Sequence, residues 1–263
     1  MNQFSLKGKN IIVMGGTSGL GLAAGKAFIE AGAGILAVGR NEKTCESASI
    51  ELGDQAHVIS GDAADPSTIH KSISYYQEKG EIIHGLFHVA GGSGRSFGDG
   101  PLHELTLEGW NHTFNQNLTS LMLSNQAMVK YFLQKKTGGS ILNMSSVLGF
   151  SPSPKYFSTH AYAAAKAAII GFSKSIASYY AGQNIRVNVV APALFITPMA
   201  QRAANDDQIM RFIKTKQPLD GGRPGYPKDI AGAACYFMSD ASKFTTGQVL
   251  GVDGGWQLSE GQY

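Results

Sequence analysis

Short, uninterrupted apolar runs alternate with longer amphipathic stretches along almost the whole chain. In a run such as Ile11-Ile12-Val13 no polar residue marks a solvent-facing side, so a strand built from it must be covered on both faces. A parallel sheet with helices on both sides provides that cover, and repeated strand–helix–strand units produce such a sheet. The pattern therefore predicts a doubly wound α/β fold.

The same pattern places the individual elements. Predicted strands cover residues 10–15, 34–39, 56–60, 85–90, 140–145, 185–191 and 248–252. Predicted helices cover residues 19–31, 42–52, 66–79, 118–136, 159–181 and 228–238. The irregular stretches 91–101, 149–158 and 192–225 each follow a predicted strand. They should therefore lie at the carboxyl edge of the sheet, where open α/β folds bind ligands.

Composition argues against several other classes of protein. The 263 residues are 43% apolar and 16% charged, as in globular proteins, and a net charge of +3 without a Lys/Arg block favours neither nucleic acid nor an anionic membrane. The chain lacks an apolar run of the ~18 residues that a membrane helix needs, and it lacks a signal-peptide pattern. Cys45 and Cys235 have no metal-ligand spacing. We expect a cytoplasmic protein with a small-molecule substrate and no nucleic-acid, membrane or metal partner.

A glycine-rich turn follows the first predicted strand and precedes a predicted helix. Glycines let the backbone turn tightly and approach a pyrophosphate, and the helix N-terminus offers free N–H groups to the phosphates. The spacing is Gly-x-x-x-Gly-x-Gly, with glycines at positions 15, 19 and 21. The turn predicts a dinucleotide site formed by Gly15, Thr17, Ser18, Gly19, Leu20 and Gly21.

Tyr162 and Lys166 are four residues apart on a predicted helix, so their side chains share one face. A phenol has a pKa near ~10, and an ammonium ~4 Å away stabilises the phenolate by roughly 4 kcal/mol at an effective dielectric of about 20. That energy corresponds to about three pKa units, from which desolvation subtracts a part. The pair therefore predicts an acid/base that can protonate a nascent alkoxide or deprotonate an alcohol near pH ~7.

The motifs, in this order, resemble the short-chain dehydrogenase/reductase family. They span nearly the whole chain and comprise Gly15-Gly16-Thr17-Ser18-Gly19-Leu20-Gly21, Asp62, Ala90-Gly91, Asn117, Asn143-Met144-Ser145-Ser146, Tyr162 with Lys166, Pro192 with Thr197, and Gly251-Val252-Asp253-Gly254-Gly255. The resemblance implies a single Rossmann-type domain over residues 1–263, with helices on both faces and the three irregular stretches as substrate loops. It also implies hydride transfer between a nicotinamide and a carbonyl or alcohol carbon, and a homotetramer.

The resemblance implies catalytic roles for Asn117, Ser146, Tyr162 and Lys166. Ser146 aligns best with the family's serine because it precedes Val147, and Ser145 is the alternative. Beyond the glycine turn, the implied cofactor contacts come from Arg40, Asn41, Asp62, Ala63, Ala90, Gly91, Tyr162, Lys166, Pro192 and Thr197.

The end of the second predicted strand carries the cofactor preference. Gly39 stands where NAD-preferring members of the family have an aspartate, and Arg40 follows it. A carboxylate there would accept the ribose hydroxyls and repel a 2′-phosphate, whereas a guanidinium binds that phosphate. We therefore expect NADP(H) to be preferred over NAD(H).

Several residues depart from the family's pattern. Met14 and Val89 are apolar where the family has partners in a polar contact, which we interpret as a paired replacement. His88 lies inside a predicted central strand, which favours a packed, hydrogen-bonded histidine over a catalytic one. Arg95 could bind a substrate carboxylate, although a solvated arginine is the stronger alternative. An apolar pocket lining is predicted from Phe150, Phe157, Phe195 and Met199.

Two other functions stay open at this point. A 3-oxoacyl-thioester reductase acting on a carrier protein is a subclass of the same chemistry, and it would need a basic docking face. A dinucleotide sensor without catalysis belongs to a different class, and it would be marked by loss of the tyrosine, lysine or serine. All three are present here.

Overall fold

The computed structural model describes residues 4–261. Within them, seven strands pair in parallel to form one sheet of order β3-β2-β1-β4-β5-β6-β7. The strands are β1 (Asn10–Met14), β2 (Gly34–Gly39), β3 (Ala56–Ser60), β4 (Gly85–His88), β5 (Gly139–Met144), β6 (Ile185–Pro192) and β7 (Val249–Val252). Helices surround the sheet, so the predicted doubly wound α/β fold is confirmed.

The longer helices begin and end close to the predicted positions. The helices are α1 (Gly19–Glu30), α2 (Glu42–Leu52), α3 (Pro66–Glu78), α4 (Leu107–Phe114), α5 (Ser120–Lys135), α6 (His160–Tyr180), α7 (Gln201–Ala204), α8 (Asp207–Lys216) and α9 (Ala231–Met238). Helix α4 was not predicted, and α7 and α8 lie within the stretch 192–225 that we expected to be irregular. A π-helical turn, Asn115–Thr119, joins α4 to α5.

Two apolar clusters cover the two faces of the sheet. Alternate residues of β1 belong to different clusters: Ile11 and Val13 pack with Phe28 of α1, while Ile12 packs with Met128 of α5. Since successive strand residues point to opposite faces, this division explains why the strands carry no polar alternation.

The interpretation of Met14 and Val89 as a paired replacement is wrong. Met14 is fully buried in the cluster that contains Ile12, whereas Val89 packs against the cluster that contains Val13. The two side chains therefore lie on opposite faces of the sheet. Met14 is instead in register with His88, and its carbonyl accepts the N–H of Val89 at 2.8 Å.

His88 is a packed, hydrogen-bonded histidine, as predicted. Its Nδ1 lies 2.7 Å from Ser124 Oγ and its Nε2 lies 3.4 Å from Ser120 Oγ. Burial, followed by the charge of Lys166, lowers the pKa of His88 to about 3, so the ring is neutral at physiological pH.

Residues 4–261 contain neither a membrane-spanning helix nor a metal-binding cluster. No helix in this part of the chain is long and apolar enough to cross a membrane. The same residues contain no group of three or more His, Cys, Asp or Glu side chains arranged to hold a metal ion.

Candidate active site

A cavity of about 810 Å³ opens at the carboxyl edge of the sheet, and most of the predicted site residues line it. Those that line it are Gly15, Ser18, Gly19, Leu20, Arg40, Ala90, Gly91, Ser146, Tyr162, Lys166, Pro192 and Thr197. Those outside its wall are Thr17, Gly21, Asn41, Asp62, Ala63 and Asn117. The volume is in the range of ligand pockets.

The glycine turn forms one end of the cavity. Gly15 has a φ of 82° and Gly19 a φ of 52°, a left-handed conformation that favours glycine. A Cβ on Gly15 would lie 2.7 Å from the backbone N of Ala90, and one on Gly21 would overlap the carbonyl of Gly15. Ser18 is the N-cap of α1 but makes no side-chain capping bond, so the helix N-terminus faces the cavity without a side-chain acceptor. This cradle fits the pyrophosphate of a dinucleotide.

Thr17 supports the turn from behind. It is buried, and a Cβ added to Gly39 at the end of β2 would overlap its side chain. A side chain at position 39 would therefore require Thr17 to move or to be replaced by a smaller residue. The sequence did not reveal this steric limit.

The residues after β2 and β3 make local contacts. Arg40 lines the cavity and its Nη1 lies 3.9 Å from Asp62 Oδ2, with both side chains exposed. Asn41 caps α2 by accepting the N–H of Thr44 at 3.1 Å, and Asp62 accepts the N–H of Ala64 at 2.9 Å. An exposed pair at this distance is weak, so the Arg40 guanidinium is available to an anion.

The cavity wall includes Ser146, Tyr162 and Lys166. Ser146 follows β5, while Tyr162 and Lys166 are one turn apart on α6. Lys166 Nζ lies 5.4 Å from the centroid of the Tyr162 ring and donates to the carbonyl of Met144 at 3.1 Å. The Ser146 side chain is close enough to Tyr162 to lower the pKa of the phenol.

The expected lowering of the Tyr162 pKa by the charge of Lys166 is not found in this structure, because desolvation is the larger effect. Burial raises the pKa of Tyr162 to about 12, and hydrogen bonding to Ser146 offsets only part of that rise. Burial also lowers the pKa of Lys166 to about 8, because a charged ammonium is poorly solvated there. Tyr162 is therefore a neutral phenol at pH ~7, which is the proton-donating form.

The two neighbouring serines have different surroundings. The Ser145 hydroxyl is buried and donates to the backbone carbonyl of Lys166 at 2.7 Å. The Ser146 hydroxyl accepts the N–H of Leu148 at 3.2 Å and is close enough to the Tyr162 phenol to lower its pKa. Ser145 thus ties β5 to α6, and Ser146 is placed beside the phenol.

Asn117 lies behind the cavity wall, in the π-helical turn, and is fully buried. Its Oδ1 accepts the N–H of Gly92 at 3.2 Å, and its Nδ2 donates to the carbonyls of Gly92 and Thr113 at 2.9 and 2.8 Å. A Cβ on Gly91 would lie 2.6 Å from Asn117 Oδ1 and 3.3 Å from Lys166 Nζ. Gly91 therefore allows Asn117 and Lys166 to approach the same point of the backbone.

The loop after β4 holds the first turn of α6, a role that sequence reasoning missed. Buried Asp99 accepts the N–H of Ala161 on Oδ1 and that of Tyr162 on Oδ2, each at 2.9 Å. The carbonyl of Gly100 accepts the N–H of His160 at 3.3 Å. These N–H groups have no acceptor within the helix, and a carboxylate also complements the positive end of the helix dipole. The only signal in the sequence was an isolated acid in a glycine-rich stretch.

The remaining wall is partly apolar. Phe157, Phe195 and Met199 line it, as predicted, whereas Phe150 does not and is 41% exposed. Lining residues that sequence reasoning missed include Gln116, Arg202 and Trp256. Arg202 and Trp256 lie far along the chain from the family motifs and are brought here by α7 and by the segment after β7.

Comparison with known proteins decides the family. The sequence profile described as enoyl-(acyl carrier protein) reductase matches residues 15–257. The chain belongs to the short-chain dehydrogenase/reductase family. Like its relatives, this short-chain dehydrogenase/reductase is an NAD(P)-dependent oxidoreductase that acts on CH–OH or C=O groups.

Individual relatives have different substrates. The chain is 34% identical over 254 residues to the 3-oxoacyl-[acyl-carrier-protein] reductase FabG of Chlamydia trachomatis, covering 95% of this chain and 98% of the relative. It is 31% identical over 261 residues to D-threitol dehydrogenase of Mycolicibacterium smegmatis, covering 97% and 95%. A putative NAD(P)-dependent gluconate 5-dehydrogenase from Beutenbergia cavernae, solved with bound NADP, superposes with a TM-score of 0.83 at 29% identity, covering 98% of this chain and all of that one.

Proposed function

We propose that this enzyme is an NADP(H)-dependent carbonyl reductase or alcohol dehydrogenase in which Tyr162 transfers the proton. The observation that carries the proposal is the convergence of Ser146, Tyr162 and Lys166 in the cavity that the glycine turn also lines. A dinucleotide cradle and a proton donor thereby open onto one space, as hydride and proton transfer to the same substrate requires.

Each side chain has a task that follows from its surroundings. The nicotinamide supplies or accepts the hydride when it is bound. Ser146 donates a hydrogen bond to the substrate oxygen and orients it toward the phenol. Tyr162, neutral because its pKa is raised, donates its proton to that oxygen as negative charge develops. Lys166 stabilises the phenolate that remains, and Asn117 holds the backbone of Gly92 beside it.

Tyr162→Phe tests the assignment. The variant keeps the ring and loses only the proton, so turnover of any carbonyl substrate should fall at least a hundredfold, the lower end of the contribution of a general acid. The affinity for NADPH, measured by isothermal titration, should stay within about twofold of wild type, since the glycine turn is unchanged. Near wild-type turnover in the variant would contradict the role of Tyr162.

We also propose that NADP(H) is preferred over NAD(H). Arg40 lines the nucleotide end of the cavity, and its only ion pair among residues 4–261 is the loose one with Asp62. Arg40→Gln should lower kcat/KM for NADPH about tenfold or more and leave NADH nearly unaffected, because one charge-assisted bond is lost. Lys43→Gln, a neighbouring exposed cation outside the cavity wall, is the control. Wild-type enzyme favouring NADH would overturn this preference.

A second candidate is a 3-oxoacyl-thioester reductase acting on a carrier protein. It is favoured by the 34% identity to a relative with that name. Comparing kcat/KM for acetoacetyl-carrier protein with that for acetoacetyl-N-acetylcysteamine tests it, because only the carrier protein can contact the outer surface. Equal values would count against a carrier-bound substrate.

Assembly as a homotetramer remains a proposal. The outer side of α6 exposes Ala167, Gly171 and Tyr179, a small and partly apolar surface that a symmetric contact could cover. Light scattering should give four times the chain mass at micromolar concentration, and a stable monomer would refute the proposal. A cytoplasmic location, expected from composition, can be tested by cell fractionation.

A further inference from the structure

Two arginines line the substrate end of the cavity. Arg95 lies in the loop after β4, and Arg202 lies in α7, which follows β6. In the sheet, β5 lies between β4 and β6, and Ser146 follows β5. The two guanidinium-bearing segments therefore flank the strand whose end carries the serine, whereas Arg40 follows β2 at the nucleotide end.

Both arginines are exposed to solvent. Within residues 4–261, neither forms an ion pair with a carboxylate at 4.0 Å or less. Arg202 donates to the carbonyl of Tyr156 at 3.3 Å, a neutral acceptor that does not cancel its charge.

The two charges are close enough to affect each other. Burial, and after it the charge of Arg202, lowers the pKa of Arg95, while Asp99 raises it. Both oxygens of Asp99 already accept N–H groups of α6. The cavity wall therefore carries two guanidiniums that act on each other, while both oxygens of Asp99, which lies outside that wall, are already engaged. An incoming anion would stabilise this arrangement.

We propose that the physiological substrate carries a carboxylate or a phosphate, which Arg95 and Arg202 bind while its carbonyl or hydroxyl lies at Ser146 and Tyr162. This inference rests on the proposed function of the same cavity. The planar guanidinium presents paired N–H donors that match the oxygens of either anion. The substrate class is then a keto or hydroxy acid, or a phosphate ester, in preference to a neutral polyol.

The test compares each anion with a neutral counterpart of the same carbon skeleton. The pairs are gluconate with glucitol, 3-hydroxybutyrate with 1,3-butanediol, and glycerol 3-phosphate with glycerol. Binding to the enzyme saturated with NADP+ is measured by isothermal titration for wild type, Arg95→Gln, Arg202→Gln and the double variant. Arg211→Gln removes an exposed arginine of α8 outside the cavity wall and is the control. Turnover of the same compounds is measured in parallel.

Wild-type enzyme should bind at least one anion about tenfold or more tightly than its neutral counterpart, and each single variant should weaken that anion about tenfold. The neutral compounds and the Arg211→Gln control should be unaffected. Gluconate or 3-hydroxybutyrate alone would identify a carboxylate, and glycerol 3-phosphate alone a phosphate.

Absence of an anion preference in all three pairs would overturn the inference, as would a preference that survives in the double variant. Failure of the proposed function has a different signature. In that case titration still shows the arginine-dependent preference for the anion. However, either no compound is turned over, or Tyr162→Phe turns the compounds over as fast as wild type.

Discussion

Replacing Asp99 by alanine would remove the carboxylate that holds the first turn of α6. Both of its oxygens accept backbone N–H groups at 2.9 Å, one from Ala161 and one from Tyr162. Ala161 is fully buried, so water cannot easily replace the lost acceptor. The N–H of Tyr162 belongs to the same residue as the phenol, and a shift of this turn would therefore move the proton donor.

The expected magnitude follows from these two bonds. A hydrogen bond to a charged group contributes about 1.5–3 kcal/mol, and the two do not add fully because the turn can relax. We expect Asp99→Ala to lower the free energy of unfolding by about 3 kcal/mol. For a chain of this size, 1 kcal/mol corresponds to about 2–4 °C in Tm, so the midpoint should fall by about 6–12 °C. Displacement of a reacting group by ~1 Å can cost about a hundredfold in rate.

Thermal melting and steady-state kinetics together test this reasoning. Asp65→Ala is the matched control, because Asp65 caps α3 by accepting the N–H of Ser67 at 2.8 Å but is exposed, and α3 does not line the cavity. Asp99→Ala should lower both Tm and kcat with little change in NADPH affinity, whereas the control should have a smaller shift in Tm and unchanged kcat. Wild-type Tm and kcat in Asp99→Ala would refute the role of this carboxylate.

Three further predictions concern the residues around the cavity. Ser146→Ala should lower kcat more than Ser145→Ala does. Ser145→Ala should lower Tm more, because the Ser145 hydroxyl is buried and bonded to a backbone carbonyl. The reverse order in kinetics and melting would show that the two serines are misassigned. Burial lowers the pKa of Lys166 to about 8 from an unperturbed 10.5, so its charge destabilises the fold below pH 8. The free energy of unfolding of wild type relative to Lys166→Met should therefore rise by about 3 kcal/mol between pH 8 and 10.5. Urea titrations that give a constant difference would contradict this. Met14→Thr should lower the free energy of unfolding by about 2–4 kcal/mol, because it buries a hydroxyl in an apolar cluster. Val89→Asn should not restore this stability, because the two side chains lie on opposite faces of the sheet. A double variant that melts like wild type would disprove that placement.

The sheet was predictable from the sequence because its strands are short apolar runs separated by helical patterns. Five of the six predicted helices agree with the structure to within two residues at each end, the exception being the last, whose first turn is a 3₁₀ helix, Pro227–Ile230. Helix α8 was missed because a loop was expected throughout residues 192–225, although Ile209 and Ile213 give it a buried side of helical spacing. Its apolar side packs with Trp256, far along the chain, which local periodicity does not reveal.

The sequence predicted which residue types form the site, because their spacing places them. It predicted their pKa values less well, because these depend on the surroundings of each side chain. The spacing of Tyr162 and Lys166 correctly placed them on one face of a helix, but their pKa values depend on burial, which outweighs the charge pairing we had assumed. Arg202 was missed because it reaches the cavity only through the folding of α7 against the loop that contains Tyr156.

Gly39 shows how one residue can be interpreted in two ways that lead to different experiments. From the sequence alone, its lack of a carboxylate concerns only the charge near the adenosine ribose, and Gly39→Asp would be the natural variant for converting the enzyme to NADH. In the structure, a Cβ at position 39 would overlap buried Thr17, a residue of the turn that supports Gly15. The single variant would therefore disturb the phosphate cradle and weaken both cofactors. We therefore expect that a conversion which keeps the cradle needs a smaller residue at position 17 together with the aspartate. On the proposed cofactor preference, the charge at the end of β2 and the size of the side chain behind the glycine turn would act together.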